Sequence, residues 1–395
     1  MVGPFSFYGR PRIHFGPGAR SKLSGLAAGY GSKMLLVIGA HSLDHSPLWP
    51  EIERGILRQG LHHDVVTVAG EPSPELVDQA VARFRPAGIQ VVAAIGGGSV
   101  LDAGKAISAM LPTGTPVMDF LEQVGKGLRY TGPKLPFLAL PTTAGTGSEA
   151  TKNAVLSRVG AHGFKKSLRH ELLIPDAAVV DPELMLSCPP RLTAACGMDA
   201  FTQLLEAYVS TKANVMTDAL AYSGLQQVVP NLVPVCTHKQ RDVTARSAMA
   251  YGALVSGMVL ANAGLGLIHG FASTLGGRIA IPHGQICGTL LAAVTRANLA
   301  KLKQQRQLRG PAALKYARTG RLFAPGKHLG LQEAWQVLDE HLQMWTETLR
   351  MPGLSAFGLT AGDVPRVVKE TGHKNNPVTL EKGEMEQILY DRLRP

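Results

Sequence analysis

Cysteine is scarce in this chain of 395 residues. Its four cysteines are Cys188, Cys196, Cys236 and Cys287, and no two of them form a C-x-x-C pair. This pattern excludes a disulfide framework and a zinc knuckle. We therefore expect four buried thiols.

Long apolar runs are also missing. No uninterrupted run reaches the roughly 18 residues that a membrane-spanning helix needs. The first residues, MVGPFSFYGRPRIHF, have neither the apolar core nor the cleavage site of a signal peptide. We expect a cytoplasmic protein with no membrane partner. Because 45% of the residues are hydrophobic and only 17% are charged, the chain can bury a sizeable core, and its length predicts two domains.

Acidic residues are fewer than basic ones, 29 against 40, which leaves a net charge of +11. The densest basic segment, KLKQQRQLRGPAALKYARTGR, contains a single aromatic residue, Tyr316, and no nucleic-acid reader motif. It is more typical of a solvated helix face, so we expect no nucleic-acid partner. The positive balance instead favours a phosphate-bearing cofactor or an acidic substrate.

The dinucleotide fingerprint G-x-G-x-x-G is absent, because Leu101 stands where its third glycine would be and the earlier turn VIGAHS lacks it too. What the first half does contain is β-rich runs that alternate with helical patterns. In the helical segment SPELVDQAVARF, Ser73 and Pro74 supply an N-cap and a first-turn proline. Such near-continuous apolar strands predict a parallel sheet covered on both faces. The runs are MLLVIGA (34–40), DVVTVAG (64–70), VVAAIGGGS (91–99), FLALPTTAG (137–145) and AAVVDPEL (177–184).

The second half has a different pattern. After DPELMLSCPP, strand signals almost vanish and long amphipathic segments continue to the C-terminus. We therefore predict an α/β nucleotide-binding domain over residues 1–187 and an all-helical domain over residues 188–395.

Two loops that follow apolar strands are suited to bind phosphate. In AAIGGGSVLDAGKAIS, glycines lead into a helix whose first amides and dipole can bind an anion. The same residues could form only a tight turn, with Ser99 as N-cap and Asp102 closing a capping box. The second loop, LPTTAGTGSEAT, offers several hydroxyls beside two glycines, although such clusters are also common in ordinary loops.

The stretch GMDAFTQLLEAYVS places Asp199 and Gln203 one helical turn apart. They share the face opposite an apolar stripe, which should be buried, and the spacing alone favours solvent exposure for the two polar residues. The apolar stripe consists of Phe201, Leu204, Leu205, Tyr208 and Val209. Further along, IHGFASTLGGRIAIPHG carries His269 and His283. Because the chain has thirteen histidines, spacing alone does not identify these two as ligands.

Taken together, these stretches resemble the iron-containing (group III) alcohol dehydrogenase family over nearly the whole chain. The motifs GGGSVLDAGKAIS, PTTAGTGSEAT, DPEL, GMDAFTQLLEAYVS, NAGLGLIHGFASTLGG and IPHG occur in the family's order. The resemblance implies an N-terminal α/β nucleotide-binding domain and a C-terminal helical domain, the architecture shared with dehydroquinate synthase. It also implies a nicotinamide cofactor and a metal in the cleft between the domains, and a homodimer.

The resemblance also assigns cofactor contacts. Those implied on the pyrophosphate and nicotinamide side are Gly97, Gly98, Ser99 and Asp102. Those implied at the phosphate and adenosine are Thr142, Thr143 and Thr146, with Asn153 and Lys165 at ribose hydroxyls.

The cofactor preference depends on the end of the first long strand. Where NAD-preferring members carry an acidic residue, this chain has Gly39, followed by His41 and Ser42. A missing acid permits a 2′-phosphate, so NADP is favoured over NAD. The alternative is that Glu71, after the next strand, holds the ribose.

The family's metal set is one aspartate and three histidines, and Asp199, His269 and His283 match three of these positions. Gln203 replaces the remaining histidine, and Ser273 replaces a histidine that is often assigned to proton relay. A carboxylate with two imidazoles still makes a set for Fe(II) or Zn(II), with Gln203 as a looser fourth ligand. A Ser273 hydroxyl can pass a proton but cannot hold one near neutral pH.

The leading hypothesis is an oxidoreductase that moves hydride between NADP(H) and a small alcohol, aldehyde or ketone, with Asp199, His269, His283 and Ser273 at the catalytic centre. One alternative is a metal-free reductase of an acidic substrate, as in maleylacetate reductases. Two others are a cyclase related to dehydroquinate synthase and a nucleotide-binding protein without activity.

Overall fold

The first half of the chain is built on a parallel β-sheet. The computed structural model describes residues 5–7, 9, 11–40, 43, 46–160 and 163–394. Within these residues the strands are β1 (Arg12–Phe15), β2 (Lys33–Gly39), β3 (His62–Val68), β4 (Val91–Gly96), β5 (Phe137–Pro141), β6 (Asn153–Arg158), β7 (Phe164–Arg169) and β8 (Ala177–Val180). Six of them form one sheet in the order β1-β8-β5-β4-β2-β3, and every pairing in it is parallel.

All five apolar runs of the first half become strands of this sheet, which confirms the predicted α/β fold with a parallel sheet. Two features carried no clear sequence signal. The edge strand β1 has four residues, three of them exposed, and it is held by pairing with β8. The antiparallel hairpin β6–β7 stands apart from the sheet. Both depend on pairing with another strand, which a short stretch of sequence does not reveal.

Helices cover the sheet and then form the whole second half. The helices of the first half are α1 (Lys22–Ala28), α2 (Trp49–Arg58), α3 (Pro74–Phe84) and α4 (Gly98–Thr113). Those of the second half are α5 (Pro190–Val209), α6 (Val215–Cys236), α7 (Val243–Ala263), α8 (Leu267–Arg278), α9 (His283–Gln304), α10 (Pro311–Arg321), α11 (Leu331–Thr348), α12 (Val364–Glu370) and α13 (Lys382–Asp391).

The predicted start of α3 is confirmed, because the Ser73 side chain accepts a hydrogen bond from the Leu76 amide at 3.2 Å. The alternative interpretation of the start of α4, with a capping box, is wrong. Its N-cap is Gly97, and no side chain caps it, so Ser99 and Asp102 do not form a capping box. The Asp102 carboxylate instead accepts hydrogen bonds from residues distant in the chain. One donor is Ser148, in the loop LPTTAGTGSEAT after β5 (the hydroxyl loop), and the other is the Val155 amide on β6.

α5 is the central helix of the second half. The last strand ends at Val180, and the two prolines begin the helix rather than interrupt it, with Pro189 as N-cap and Pro190 in the first turn. α6, α7 and α9 pack around α5, so nearly all of its residues are buried. The predicted apolar stripe on α5 is buried as expected.

α7 is long and apolar enough to cross a membrane by length and composition, and no other helix in the described part of the chain is. The sequence showed no such run because Arg246 and several hydroxyls interrupt it. Most of α7 is buried in the helical core, which is typical of the core helix of a globular fold.

The two halves meet through glycine contacts. Gly147, in the loop after β5, has φ of 60° and faces Gly257 on α7 so closely that a Cβ on either would overlap the other backbone. Gly163 and Gly277 make a similar contact between the β6–β7 hairpin and α8. These contacts bring the loops at the carboxyl ends of β4 and β5 against the helical half, where the candidate site lies.

Candidate metal and cofactor site

Four side chains with metal-ligating atoms converge where α5, α8 and α9 meet. They are Asp199 on α5, His269 on α8, and His283 and Cys287 on α9, and their donor atoms all lie within 4.8 Å of one another. Asp199 Oδ1 is 3.3 Å from His269 Nε2 and 3.7 Å from His283 Nε2. Three of the ligand positions implied by the resemblance are therefore brought together from distant parts of the chain.

The expected solvent exposure of Asp199 and Gln203 is wrong. Asp199 is 1% exposed and Gln203 is 2% exposed. The polar face of α5 is covered because other helices pack on every side of it, which the periodicity of a single helix does not reveal.

Gln203 holds the carboxylate of Asp199. Its Nε2 donates a hydrogen bond to Asp199 Oδ2 at 3.1 Å, and its Oε1 accepts one from Ser256 Oγ at 3.1 Å. The other carboxylate oxygen, Asp199 Oδ1, is buried with no hydrogen-bond partner. A buried, unpaired carboxylate oxygen is costly unless a cation faces it. The donor set therefore fits a divalent metal.

Glu206 orients His269 and was missed from the sequence. Its Oε2 lies 2.7 Å from His269 Nδ1, and its Oε1 accepts a hydrogen bond from the Ile268 amide at 2.7 Å. A carboxylate at Nδ1 directs Nε2 towards the ligand position, as in many metal sites. The signal was present, because 199, 203 and 206 follow the i, i+4, i+7 spacing of one helix face.

The two imidazoles of the cluster differ in their ionisation. Burial would raise the pKa of Asp199, but the two imidazoles that face the carboxylate lower it to about 2. Burial lowers the pKa of His283 to about 4, so this ring is neutral near pH 7. Burial would also lower the pKa of His269, yet the Cys287 sulfur and the Asp199 and Glu206 carboxylates raise it well above its ordinary value. Asp199 and His283 are thus in the forms that bind metals, whereas His269 must release a proton when a metal binds.

Cys287 was missed as a site residue. Its Sγ lies 3.7 Å from His269 Nε2 and 3.8 Å from His283 Nε2. Burial raises its pKa to about 12, so the free thiol is protonated. The sequence signal was its position four residues after His283, on the same face of a helix. The expectation of buried thiols is confirmed for Cys236 and Cys287, whereas Cys188 and Cys196 are half-buried.

Ser273 and Lys374 lie beside the backbone of His269. The Ser273 hydroxyl donates to the His269 carbonyl at 2.8 Å. Lys374 Nζ donates to the same carbonyl at 2.7 Å and to Ser273 Oγ at 3.1 Å. Burial lowers the pKa of Lys374 to about 8, and its backbone has a positive φ of 51°. No sequence pattern had singled out this lysine.

The glycine turn (residues 96–98, between β4 and α4) and the hydroxyl loop after β5 are adjacent. The Thr142 amide donates to the Gly96 carbonyl at 2.9 Å, and a Cβ on Gly98 would lie 2.6 Å from Thr146 Oγ1. Thr143 would lie 3.5 Å from a Cβ on Gly97. Because no side chain caps α4, its first amides, which include those of Gly98 and Ser99, can bind a phosphate.

The remaining predicted cofactor residues differ in whether their polar groups already have partners within the protein. Asn153 Oδ1 is buried without a partner, as expected of a group that awaits a ligand. Lys165 Nζ pairs with Glu71 at 2.9 Å. Asp102 is already engaged, because its oxygens accept hydrogen bonds from Ser148 Oγ at 2.5 Å and the Val155 amide at 3.1 Å. Gly39 is the buried last residue of β2, whereas His41 and Ser42 lie outside the described residues.

Comparisons with known proteins agree with this arrangement. The family model for iron-containing alcohol dehydrogenase matches residues 10–182, and the model for the C-terminal part of the same family matches residues 193–393. The 1-propanol dehydrogenase of Citrobacter freundii is 32% identical over 98% of this chain and 100% of the relative. Alcohol dehydrogenase 4 of Schizosaccharomyces pombe is 33% identical over 85% of this chain and 79% of the relative. A crystal structure of 1,3-propanediol oxidoreductase superimposes with a TM-score of 0.88 at 28% identity, covering 99% of this chain and 100% of that one.

The fold and these matches define the class of protein, an oxidoreductase with an N-terminal α/β part and a helical C-terminal part. This chain belongs to the iron-containing alcohol dehydrogenase family, as its motifs predicted. The family uses NAD or NADP and a divalent metal, usually iron. The relatives do not favour the maleylacetate reductase, cyclase or non-enzymatic alternatives.

Proposed function

We propose that this enzyme interconverts a small alcohol and its aldehyde or ketone with NADP(H), in a site that depends on a divalent metal. The observation that carries the proposal is the buried Asp199 Oδ1, which accepts no hydrogen bond and faces His269 Nε2 and His283 Nε2. The relatives named as a 1-propanol dehydrogenase and a 1,3-propanediol oxidoreductase support a small primary alcohol as substrate.

Each residue of the site has a part in the proposed reaction. Asp199, His269 and His283 would hold the metal, which when bound supplies Lewis acidity to a substrate oxygen while nicotinamide carries the hydride. Glu206 keeps the His269 ring in its orientation. Gln203 fixes the carboxylate of Asp199. The hydroxyl proton of Ser273 is directed at the His269 carbonyl, so we assign no proton relay to this residue.

The cofactor should bind across the two adjoining loops. The free α4 amides would receive the pyrophosphate, and Asn153 and Lys165 would contact the ribose next to nicotinamide. In support of this direction, Lys165 packs against α8, where a Cβ on Gly276 would lie 3.0 Å from Lys165 Cδ, so this ion pair lies beside the helix that carries His269.

The preference for NADP rests on the same ion pair. Glu71 is engaged with Lys165, which packs against α8, so it is not available at the adenosine end. Neither Gly39 at the end of β2 nor any of the four residues that follow it is a carboxylate. A 2′-phosphate would therefore meet no negative charge there.

The metal requirement is tested by removing the metal with a chelator, verifying its absence by elemental analysis, and measuring NADPH turnover on a panel of short aldehydes. We expect at least a hundredfold loss of turnover that returns when Fe(II) or Zn(II) is restored. Full turnover in a verified metal-free preparation would rule out this mechanism.

The cofactor preference is tested by Gly39→Asp, with Gly39→Asn as the neutral control of the same size. We expect kcat/KM for NADPH to fall at least about tenfold in the aspartate variant only, because like charges that face each other cost several kcal/mol. Equal values for NADPH and NADH in the wild type would contradict the proposed preference.

A further inference from the structure

Cys287 is the one donor of the cluster that the resemblance does not assign. It lies on α9 one turn after His283, is fully buried, and contacts the Nε2 atoms of both histidine rings. These are the nitrogen atoms that face Asp199 Oδ1. The sulfur therefore lies on the inner side of the donor cluster.

The distances between the donors match a tetrahedral metal site. With bond lengths of about 2.0 Å to nitrogen or oxygen and about 2.3 Å to sulfur, tetrahedral angles separate N and O donors by about 3.3 Å and N and S donors by about 3.6 Å. The observed N–O separations are 3.3 Å and 3.7 Å. The observed N–S separations are 3.7 Å and 3.8 Å. These four separations fit one tetrahedral ion, and the remaining two, His269 to His283 and Asp199 to Cys287, are within 4.8 Å.

Without Cys287, the cluster has three donors, namely Asp199, His269 and His283. Gln203 stands at the position of the missing histidine, but its amide oxygen accepts from Ser256 Oγ and its amide nitrogen is turned to Asp199. An amide is moreover a weaker ligand than an imidazole for Zn(II) or Fe(II). A thiolate from the neighbouring helix would restore the count of four protein ligands.

We propose that Cys287 is the fourth metal ligand and binds as a thiolate, which makes the site of this chain selective for Zn(II) over Fe(II). This inference rests on the proposed function, since it concerns the same metal. On binding, the Sγ–H bond breaks, its electron pair forms the bond to the metal, and the proton leaves to solvent. Thiolates and tetrahedral geometry favour zinc, whereas Fe(II) in oxygenases favours a more open set of nitrogen and oxygen ligands.

A site with four protein ligands remains compatible with catalysis. Zinc can expand from four to five ligands during a reaction, so a substrate oxygen could join the four side chains without displacing one. Such a site differs from the His–carboxylate set of the family in one donor only.

The first test uses Co(II) as a spectroscopic probe in the intact protein. A thiolate ligand gives cobalt an intense near-ultraviolet charge-transfer band, and a tetrahedral site gives strong visible bands. We expect both in the wild type and in Cys236→Ser, a matched control whose buried cysteine is on α6, outside the cluster. In Cys287→Ser we expect the charge-transfer band to disappear while cobalt still binds.

The outcomes separate this inference from the proposed function. If cobalt binds to all three proteins with the same near-ultraviolet band, Cys287 is not a ligand, while the metal proposal stands. If cobalt binds to none of them, the metal proposal itself fails, and this inference fails with it.

A second measurement does not depend on the folding of a variant. X-ray absorption at the zinc edge of the Zn(II)-loaded wild type should show one sulfur at about 2.3 Å. Competition between equal Zn(II) and Fe(II) under anaerobic conditions should leave zinc in at least ten times as many sites as iron, and Cys287→Ala should reduce that ratio. A zinc shell of nitrogen and oxygen alone, or equal occupancy by the two metals, would overturn the proposal.

Discussion

At the scale of single residues, the site depends on carboxylates whose surroundings set their charge. Asp199 stays ionised because imidazoles face it, and its Oδ1, which accepts no hydrogen bond, is the atom best placed to bind a cation. Glu206 is equally buried but has both oxygens engaged, one by His269 and one by the Ile268 amide. The two acids on α5 therefore have different tasks, one as ligand and one as support.

The supporting role of Glu206 can be measured through Glu206→Gln. We expect Zn(II) affinity to fall about 10- to 100-fold, because the amide no longer holds Nδ1 of His269 as a charged acceptor does. Isothermal titration with a competing chelator gives the affinity. Glu340→Gln, on an exposed position of α11, is the control, and equal affinities in the two variants would exclude a positioning role for Glu206.

Glu149 makes stability depend on pH. Burial raises its pKa from 4.5 to about 7, so the folded state binds the proton more tightly than the unfolded chain does. Stability is therefore lost as pH rises from about 4.5 through about 7, by up to about 3 kcal/mol. Glu149→Gln removes this loss. Urea unfolding should show that the free energy of unfolding of the variant, relative to the wild type, increases between pH 5 and pH 8. A difference that stays constant with pH would contradict the raised pKa of Glu149.

At the scale of secondary-structure elements, the apolar runs predicted the sheet because each strand is buried on both faces and its pattern is local. The helix cap at Ser73 was also local and was predicted correctly. The start of α4 was not, because Asp102 forms its hydrogen bonds with Ser148 and the Val155 amide, about fifty residues away. The exposure of the polar face of α5 was misjudged for the same reason.

The contact between the loop after β5 and α7 should be intolerant of a side chain. In Gly257→Ala, the added Cβ would overlap the Gly147 backbone, so we expect a loss of about 1–3 kcal/mol in stability and weaker NADPH binding. Gly383→Ala, in α13 with open space around it, makes the same change without a clash and should be neutral or stabilising. Chemical denaturation compares the two, and an unchanged Gly257→Ala protein would show that the contact is loose.

At the scale of the whole molecule, the metal site joins three helices and the cofactor site joins the two halves. Asp199, His269 and His283 lie on α5, α8 and α9, so a metal would cross-link the helical half. The glycine turn and the hydroxyl loop lie at the sheet edge that faces this half. Binding of either ligand should therefore stabilise the folded state.

Metal removal should lower the thermal stability of the entire protein. A metal that binds only the folded state at a hundredfold excess over its Kd stabilises it by about 2.7 kcal/mol. Differential scanning calorimetry with and without chelator should show a higher unfolding temperature for the metal-loaded wild type. Asp199→Asn, which loses the free carboxylate oxygen, should show no such difference, and an equal response of both proteins would place the stabilising metal elsewhere.

The α/β fold with its parallel sheet, and the family, could be predicted from the residues alone, because buried strands and ordered motifs are local patterns. The motifs also marked Asp199, His269 and His283. That these three meet, that Gln203 holds a carboxylate, and that Glu206 and Cys287 adjoin them became visible in the folded chain. Asp199 precedes His269 by seventy residues, so only the packing of α5 against α8 and α9 brings the donors within a few ångströms of one another.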